Sequence, residues 1–178
     1  MAMAVLTDQL LRAAESGDEF VVKILLNCVP DIHSLRDTEG HIALHLAAGR
    51  GHAGVIRILL EEGADVAAKK DNGSTALHHA AANGREGVVT MLLDAGVDVG
   101  ANDGDGWTAL HLGVMGGHDG AVRILLDAGA AQEAGGFKGF TPLHWASHNG
   151  HEEVVRMLLD ASAGAGVDAG DGTGISPI

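Results

Sequence analysis

Aromatic residues are scarce in this chain of 178 residues, where they make up 3% of the sequence and tyrosine is absent. Because 46% of the residues are hydrophobic, a core can form, but it must be built from Leu, Val, Ile and Ala. Proline is also rare, with 3 residues, whereas glycine is common, with 27. This combination favours many tight turns and excludes polyproline or collagen structure. The length suits one compact domain or a run of small units that share a core.

Basic residues and cysteine are scarce as well. Eleven Lys and Arg against 24 Asp and Glu give a formal net charge of −13. Nucleic acids and anionic membranes are therefore not expected partners, since both are bound by clustered Lys and Arg. The single cysteine, Cys28, excludes an intrachain disulfide and a Cys-based zinc site. We expect Cys28 to be a partly buried small residue rather than a reactive thiol.

Long apolar runs are missing too. The apolar stretch at residues 1–6 is too short for the hydrophobic region of a signal peptide and has no basic flank. No uncharged run approaches the length of a membrane span. We therefore expect a soluble protein that is cytoplasmic or otherwise intracellular.

What the sequence does contain is an internal repeat with a period of 33 residues. A Leu-His pair recurs at this step, at 44–45, 77–78, 110–111 and 143–144. A fixed period in this range is the signature of a solenoid, a propeller or another repeat array. Two sets of glycines keep the same step: Gly40, Gly73, Gly106 and Gly139, and Gly51, Gly84, Gly117 and Gly150.

The residue pattern of each unit predicts two helices separated by a glycine turn. A threonine precedes the first helix in three units, and its hydroxyl can accept a hydrogen bond from an unpaired backbone N–H. The first helix is short, spanning 76–83 in the second regular unit, and ends at a glycine that can take a left-handed backbone. The second helix is followed by another glycine and a short extended hairpin. The predicted caps are Thr75, Thr108 and Thr141, and the glycines after the second helix are Gly63, Gly96 and Gly129.

The units resemble ankyrin repeats over nearly the whole chain. Residues 140–146 (FTPLHWA) and 150–159 (GHEEVVRMLL) are similar to that family's pattern, and residues 62–66 (EGADV) resemble its hairpin lead-in. The resemblance implies an all-α, ankyrin-like solenoid of helix–turn–helix repeats linked by short β-hairpin loops. It also implies that hairpin tips and first helices form a concave binding face.

The repeat pattern predicts the domain boundaries. Residues 1–36 are a degenerate N-terminal capping repeat, offset by 34 residues, in which Asp8 takes the cap position and Leu11 that of the His. Residues 169–178 start an incomplete further repeat, which indicates a fragment of a longer array or of a larger protein. The predicted ankyrin repeats between them are 37–69, 70–102, 103–135 and 136–168.

Two departures from the pattern predict weaker units. Ile42 replaces the capping Thr of the first regular unit, at a cost of about 1 kcal/mol. Gly113 lies inside a predicted first helix where Ala is usual, which again costs about 1 kcal/mol. The stability of a repeat stack is approximately a sum over units and neighbours. We therefore expect local fraying around 113–117 and at the hairpin tip 135–136.

Seven of the eleven histidines fall on only two repeat positions, and this regularity indicates a structural role. The resemblance implies that the first set makes hydrogen bonds between turns and repeats, and that the second set shapes the turn between helices. Neither set has Cys or carboxylates at the spacing of metal ligands. The first set is His45, His78, His111 and His144, and the second is His52, His118 and His151.

We expect no catalytic residue, no metal ion and no cofactor. Paired carboxylates would have to converge, and a linear stack has no enclosing cleft. The Gly-Asp-Gly at 104–106 is not followed by the Gly-Lys-Ser/Thr of a phosphate loop, and no nucleophile elbow is present. Arg57, Arg123 and Arg156 each precede an acidic residue by four places, which predicts a stripe of exposed ion pairs worth about 0.3 kcal/mol each.

Positions that vary between repeats predict the binding surface. They are the hairpin tips, the residue before each cap and the two residues before the glycine that ends the first helix. In stacks that resemble ankyrin these positions share the concave face. The candidate partner-binding residues are His41, Arg50, Asp71, Asn72, Asp105, Trp107, Met115, Phe137, Lys138, Phe140 and His148.

Three of the five Phe and Trp residues, Trp107, Phe137 and Phe140, lie among these variable positions. Rigid aromatic side chains are typical binding anchors, although they could equally pack over neighbouring hairpins, and the sequence leaves both readings open. Trp145 is expected to be structural. Asp98, Asp103 and Asp105 lie beside the aromatic positions and favour a partner with Lys or Arg.

The function predicted from the sequence is that of a non-catalytic, monomeric protein–protein interaction scaffold. Its partner would be another protein or peptide, with basic residues favoured, held on the concave face of the third and fourth regular units. The alternative is a regulatory or targeting ankyrin segment of a larger multidomain enzyme or channel, with the activity outside these residues.

Overall fold

The computed structural model describes residues 2–29, 34–38, 40–136 and 139–167, which form ten α-helices. The predicted all-α solenoid is confirmed. The predictions for Phe137, Lys138 and residues 169–178 lie outside the described residues. The helices are α1 Ala2–Ser16, α2 Glu19–Cys28, α3 Ala43–Arg50, α4 Ala53–Glu61, α5 Ala76–Ala82, α6 Glu86–Asp94, α7 Ala109–Met115, α8 Asp119–Asp127, α9 Pro142–Asn149 and α10 Glu152–Val167.

The helices pack as five consecutive pairs that stack on one another. The first helices of the pairs form one row, α1, α3, α5, α7 and α9, in which each helix contacts the next. The second helices form a parallel row from α2 to α10. Alanines such as Ala47, Ala48, Ala80 and Ala81 are fully buried between first helices and permit their close approach. The core is aliphatic as predicted, since the buried hydrophobic side chains are Leu, Val, Ile and Ala.

The predicted caps and glycine turns are present. Thr75, Thr108 and Thr141 are the N-cap residues of α5, α7 and α9. Gly51 and Gly150 end α3 and α9 with φ of 86° and 72°, a left-handed backbone that side chains disfavour. The sharp turn that this conformation makes sets the second helix of each unit against the first.

The loops between units are tight hairpin turns. Each is closed by a backbone hydrogen bond across four residues, as from Lys70 N to Ser74 O at 2.8 Å and from Asp103 N to Trp107 O at 2.9 Å. An antiparallel β-bridge joins Asn102 to Thr108. Within the described residues the hairpin arms are too short to form named strands.

Two predictions for the N-terminal repeat are wrong. Asp8 does not cap a helix, because α1 is one continuous helix of 15 residues, and Asp8 instead pairs with Arg12 at 3.0 Å inside it. Cys28 is exposed rather than partly buried. The buried face of α2 consists of Val22, Leu25 and Leu26, and Cys28 at the helix end lies off that face.

The predicted stripe of ion pairs is also wrong. Among the described residues, none of the three arginines pairs with the acidic residue four places after it. Arg156 pairs instead with Glu153, one turn earlier, and Arg123 reaches the same carboxylate at 4.0 Å. Glu153 therefore joins α8 to α10, an arrangement that depends on how the units stack.

The second helix of the fourth regular unit, α10, continues past the position at which the corresponding helices end. The helix α10 has 16 residues, whereas α4, α6 and α8 have 9 each. The internal helices are followed by a left-handed glycine, as at Gly129 with φ of 86°. Ser162 takes that position in α10, and its hydroxyl donates to Leu158 O at 2.9 Å within the helix. The helix therefore continues.

Gly113→Ala should raise the free energy of unfolding by about 1 kcal/mol, because a buried helix-interior glycine is replaced by the best helix former. The site has room, since a Cβ at Gly113 would lie 3.5 Å from Val122 Cγ2 and 3.8 Å from Ala81 O. Urea denaturation followed by circular dichroism measures the change.

The matched control is Gly117→Ala, one turn later. Its φ is 65°, and a Cβ there would come within 2.7 Å of the His151 ring, so this variant should be destabilised. If Gly113→Ala were also destabilised, the close packing of α7 on α5 would have no space for the methyl group.

Candidate protein-binding surface

The first set of repeat histidines links each unit to the next hairpin. In every regular unit the Nδ1 atom accepts the backbone N–H of the N-cap residue, as from Thr75 N to His78 at 3.2 Å. The opposite nitrogen, Nε2, donates to a carbonyl of the following hairpin, as from His78 to Trp107 O at 3.0 Å. A ring that accepts at Nδ1 and donates at Nε2 is neutral. The structural role expected for these histidines is therefore supported by their hydrogen bonds.

Threonine caps strengthen this link. The hydroxyl of Thr75 lies 2.9 Å from His78 Nδ1, and Thr108 and Thr141 make the same contact. Ile42 has no hydroxyl but keeps its backbone donor, with its N atom 3.2 Å from His45 Nδ1. The first regular unit therefore lacks one polar contact that the other three have.

A second set of contacts links each unit to the preceding one. His52, His118 and His151 each place Nε2 at 2.9–3.2 Å from a carbonyl near the end of the previous first helix. Arg85 replaces His in the second regular unit, and its Nε donates to Gly49 O at 3.1 Å. These residues hold neighbouring units together as well as shaping the turn between helices.

The three buried histidines of the first set are unsuited to acid–base chemistry at neutral pH. Burial lowers the pKa of His45 to about 4, and it lowers the pKa of His78 and of His111 for the same reason. His79, which lies 5.5 Å from His45, has its pKa lowered to about 4 by burial and by the neighbouring His45 and His41. In the described ranges no group of three or more His, Cys, Asp or Glu side chains is placed to hold a metal ion.

The protein should lose stability as the pH falls from 7.5 to 5.5. These histidines have a lower pKa in the folded state than the usual value of 6.5, so protons bind preferentially to the unfolded chain. The stability that neutral histidines provide is complete above pH 6.5 and declines toward about pH 4. Thermal melts by circular dichroism at steps of 0.5 pH unit measure the effect.

His45→Gln should flatten this pH dependence while lowering the melting temperature at pH 7.5. The matched control, His148→Gln at an exposed position, should keep the melting temperature at pH 7.5. A melting temperature constant from pH 7.5 to 5.5 in the unmodified protein would show that the buried histidines are protonated equally in both states.

The side chains of Trp107, Phe140 and Trp145 form an aromatic cluster at the last described hairpin. Trp145 is their centre, with ring centroids 5.3 Å from Trp107, 5.9 Å from Phe140 and 6.1 Å from His148. Trp107 is partly buried and also contacts the His111 ring at 5.5 Å, so it packs over the hairpin that follows it. Phe140 remains 43% exposed. The structure thus gives these two candidate anchors different environments.

An open cavity of about 480 Å³ lies against this cluster. Its surface is mostly apolar, in a protein whose exposed surface is otherwise rich in acidic residues. Phe140 and Trp145 supply the large rings, and the polar groups are one hydroxyl and two imidazoles. The lining residues are Phe140, His144, Trp145, Ser147 and His148.

Two residues that line the cavity, His144 and Trp145, were not among the candidate partner-binding residues. Trp145 was expected to be structural, and His144 was assigned to the repeat pattern. In the preceding units His45, His78 and His111 are buried, whereas His144 is exposed. The available signal was Trp145 itself, which stands at a repeat position that holds Leu46, His79 and Leu112 in the other regular units.

Other candidate residues lie at hairpin tips near the cluster. Asp105 is exposed at the tip of the 103–107 turn. The Asp103 carboxylate is occupied within the turn, where it accepts hydrogen bonds from Asp105 N at 3.0 Å and from Trp107 N at 2.9 Å. Met115 is half-buried, and its carbonyl accepts from His151 Nε2 at 3.2 Å.

The remaining candidates lie toward the N-terminal end of the stack. Asp71 and Asn72 are exposed at a hairpin tip. Arg50 is exposed and pairs with Glu15 at 2.5 Å. His41 is half-buried, and its ring nitrogens lie 3.0 Å from Asp37 Oδ2 and 3.1 Å from Lys70 Nζ. These four residues therefore do not join the aromatic cavity, which is built by α9 and its hairpin.

The fold and the recurring histidine contacts define a class, the helical repeat solenoids. A family model described as ankyrin repeats in three copies matches residues 10–103 and 96–171. The chain belongs to the ankyrin repeat family. The part of the chain that the structure describes has no helix with the length and apolar character needed to cross a bilayer.

Curated proteins match shorter parts of the chain. The chain is similar to the E3 ubiquitin-protein ligase XBAT33 of Arabidopsis thaliana, with 38% identity over 35% of this chain and 12% of that protein. It is similar to the NF-kappa-B inhibitor cactus of Drosophila melanogaster, with 36% identity over 31% of this chain and 11% of that protein. A 2-5A-dependent ribonuclease of Mus musculus is 35% identical over 36% of this chain and 9% of its own length. The matches span about a tenth of each relative.

Proposed function

We propose that this protein is a non-catalytic scaffold that binds another protein on the concave side of its third and fourth regular units. The observation that carries the proposal is the open apolar cavity beside α9, with Phe140 exposed at its edge. Exposed large aromatic side chains next to a pocket are typical anchors of protein–protein interfaces. Trp107 and Trp145 support the cavity from behind by packing against each other.

Charge favours a partner segment that contains Lys or Arg. Asp105 is exposed two residues before Trp107, and Asp71 is exposed at the preceding hairpin tip. The net charge of −13 extends the same preference over a longer range. We therefore propose a protein or peptide partner with basic residues, bound by a monomer inside the cell, and we propose neither nucleic acid nor membrane as a partner.

Ankyrin repeats are generally protein-interaction modules, and one relative supports a protein partner by its name. The similar protein from Drosophila is named as an inhibitor of NF-kappa-B.

The test combines Phe140→Ala, His148→Ala and Asp105→Lys in one variant. A partner captured by the unmodified protein would be identified by mass spectrometry, purified and titrated against both proteins by calorimetry. We expect the triple variant to bind at least tenfold more weakly, because an aromatic anchor and a surface charge are removed. Its melting temperature should stay within a few degrees, since Phe140, His148 and Asp105 are all exposed.

The matched control is Phe20→Ala together with Arg57→Ala and Glu61→Lys. These residues are also exposed, but they lie on the second helices of the first two units. The control should bind as the unmodified protein does. If the control lost affinity and the concave variant kept it, the binding surface would be on the second helices.

A second candidate function is that of a regulatory or targeting segment of a larger enzyme or channel. The observation that favours it is that two similar proteins are named as enzymes, and that each is matched over only 9–12% of its length. Sequencing the full-length transcript tests this directly. A catalytic or membrane-spanning domain in the same reading frame would support it, whereas a reading frame limited to these repeats would contradict it.

A further inference from the structure

The rings that line the cavity beside α9 stand nearly at right angles to their neighbours. The interplanar angle is 70° between Phe140 and Trp145, 73° between Phe140 and His144, and 86° between Trp145 and His148. The corresponding centroids are 5.6–6.1 Å apart. Because adjacent rings are perpendicular, a group inside the cavity can meet ring faces from more than one direction.

Ring faces attract cations. The face of Trp, and less strongly that of Phe, carries negative electrostatic potential and binds a positive charge within about 6 Å of the centroid. Among the described residues that line the cavity there is neither Lys nor Arg, so these five side chains carry no fixed positive charge that would oppose a cation. The overall charge of −13 adds attraction at longer range.

The five described lining residues also include no carboxylate. A compact ammonium group such as that of unmodified lysine is strongly hydrated and loses its water with little compensation in such a site. A quaternary ammonium carries its charge beneath methyl groups and needs no hydrogen-bond acceptor. It therefore gains both apolar contact and the cation–π attraction.

We propose that the cavity formed by Phe140, His144, Trp145, Ser147 and His148 binds a quaternary ammonium group, carried by a trimethylated lysine of the partner protein. Its volume of about 480 Å³ lies within the range of small-ligand pockets. Such a side chain reaches the cavity as part of a bound protein, so the assignment rests on the proposed function. The same surface then recognises the partner by a modification as well as by shape.

Tryptophan fluorescence reports on this site, because the chain has only two tryptophans and both belong to the cluster. The protein would be titrated with an Ala-Lys-Ala peptide that is trimethylated on the lysine, with the unmodified peptide, with choline, and with 3,3-dimethylbutan-1-ol. The last compound has the shape of choline without its charge. We expect saturable fluorescence changes with the trimethylated peptide and choline, each bound about tenfold more tightly than its uncharged or unmethylated counterpart.

Three outcomes of this titration would overturn the assignment. Equal affinity for choline and the neutral alcohol would show an apolar pocket without preference for charge. Equal affinity for both peptides would show a general basic-residue site. Choline binding without peptide binding would assign the cavity to a free small molecule and overturn the partner lysine as its source.

A pair of variants isolates the ring face. Phe140→Leu keeps an apolar side chain of similar reach but removes the π system, and Phe140 is 43% exposed, so little stability depends on it. It should abolish the preference for choline over the alcohol. The matched control, Phe20→Leu, makes the same change at a side chain that is 73% exposed on α2 and should keep the preference.

The result is separable from the test of the proposed function. If the concave triple variant loses the partner while the unmodified protein ignores quaternary ammonium, protein binding stands and this assignment fails. If choline and the trimethylated peptide bind as expected and no protein partner is affected by the triple variant, the proposed function fails at that surface.

Discussion

The stack depends on neutral histidine. Three rings of the first set, His45, His78 and His111, each join three parts of the protein: the cap of their own helix through Nδ1, the next hairpin through Nε2, and the core through their buried carbons. A protonated ring cannot accept at Nδ1, so the whole arrangement requires one protonation state and one tautomer. Burial favours that state in His45, His78 and His111, and through it three hairpins are held at Ala68 O, Trp107 O and Phe140 O.

Most of the fold can be predicted from the sequence because the repeat fixes it locally. The threonine caps, the left-handed glycines and the apolar faces are all set within a unit, and each unit contacts only its neighbours. The predictions that are wrong concern features that this periodicity does not determine. Asp8 lies in the N-terminal helix pair, whose first helix has 15 residues against 7 in α5. The partner of Arg156 depends on the rotamers of exposed side chains, which spacing alone does not fix.

The candidate site is less predictable from the sequence for a physical reason. Variable positions identified Trp107, Met115 and Phe140 as candidates, since residues that differ between repeats are not needed for stacking. Trp145 was assigned to packing, yet it touches both Trp107 and Phe140 and lines the cavity. The cavity arises from the relative orientation of rings on two consecutive hairpins and one helix. That orientation exists only once the units are stacked.

At position 162 a serine stands where the preceding units have glycine, and this difference affects the symmetry of the molecule. A solenoid keeps a constant pitch only if each unit leaves the chain in the same position and direction relative to the next unit. The left-handed residue after each second helix makes the turn that achieves this. Because Ser162 is helical, α10 continues to Val167 instead of turning toward a hairpin. The translational symmetry of the array is therefore broken at Ser162, in the same unit that holds the aromatic cavity.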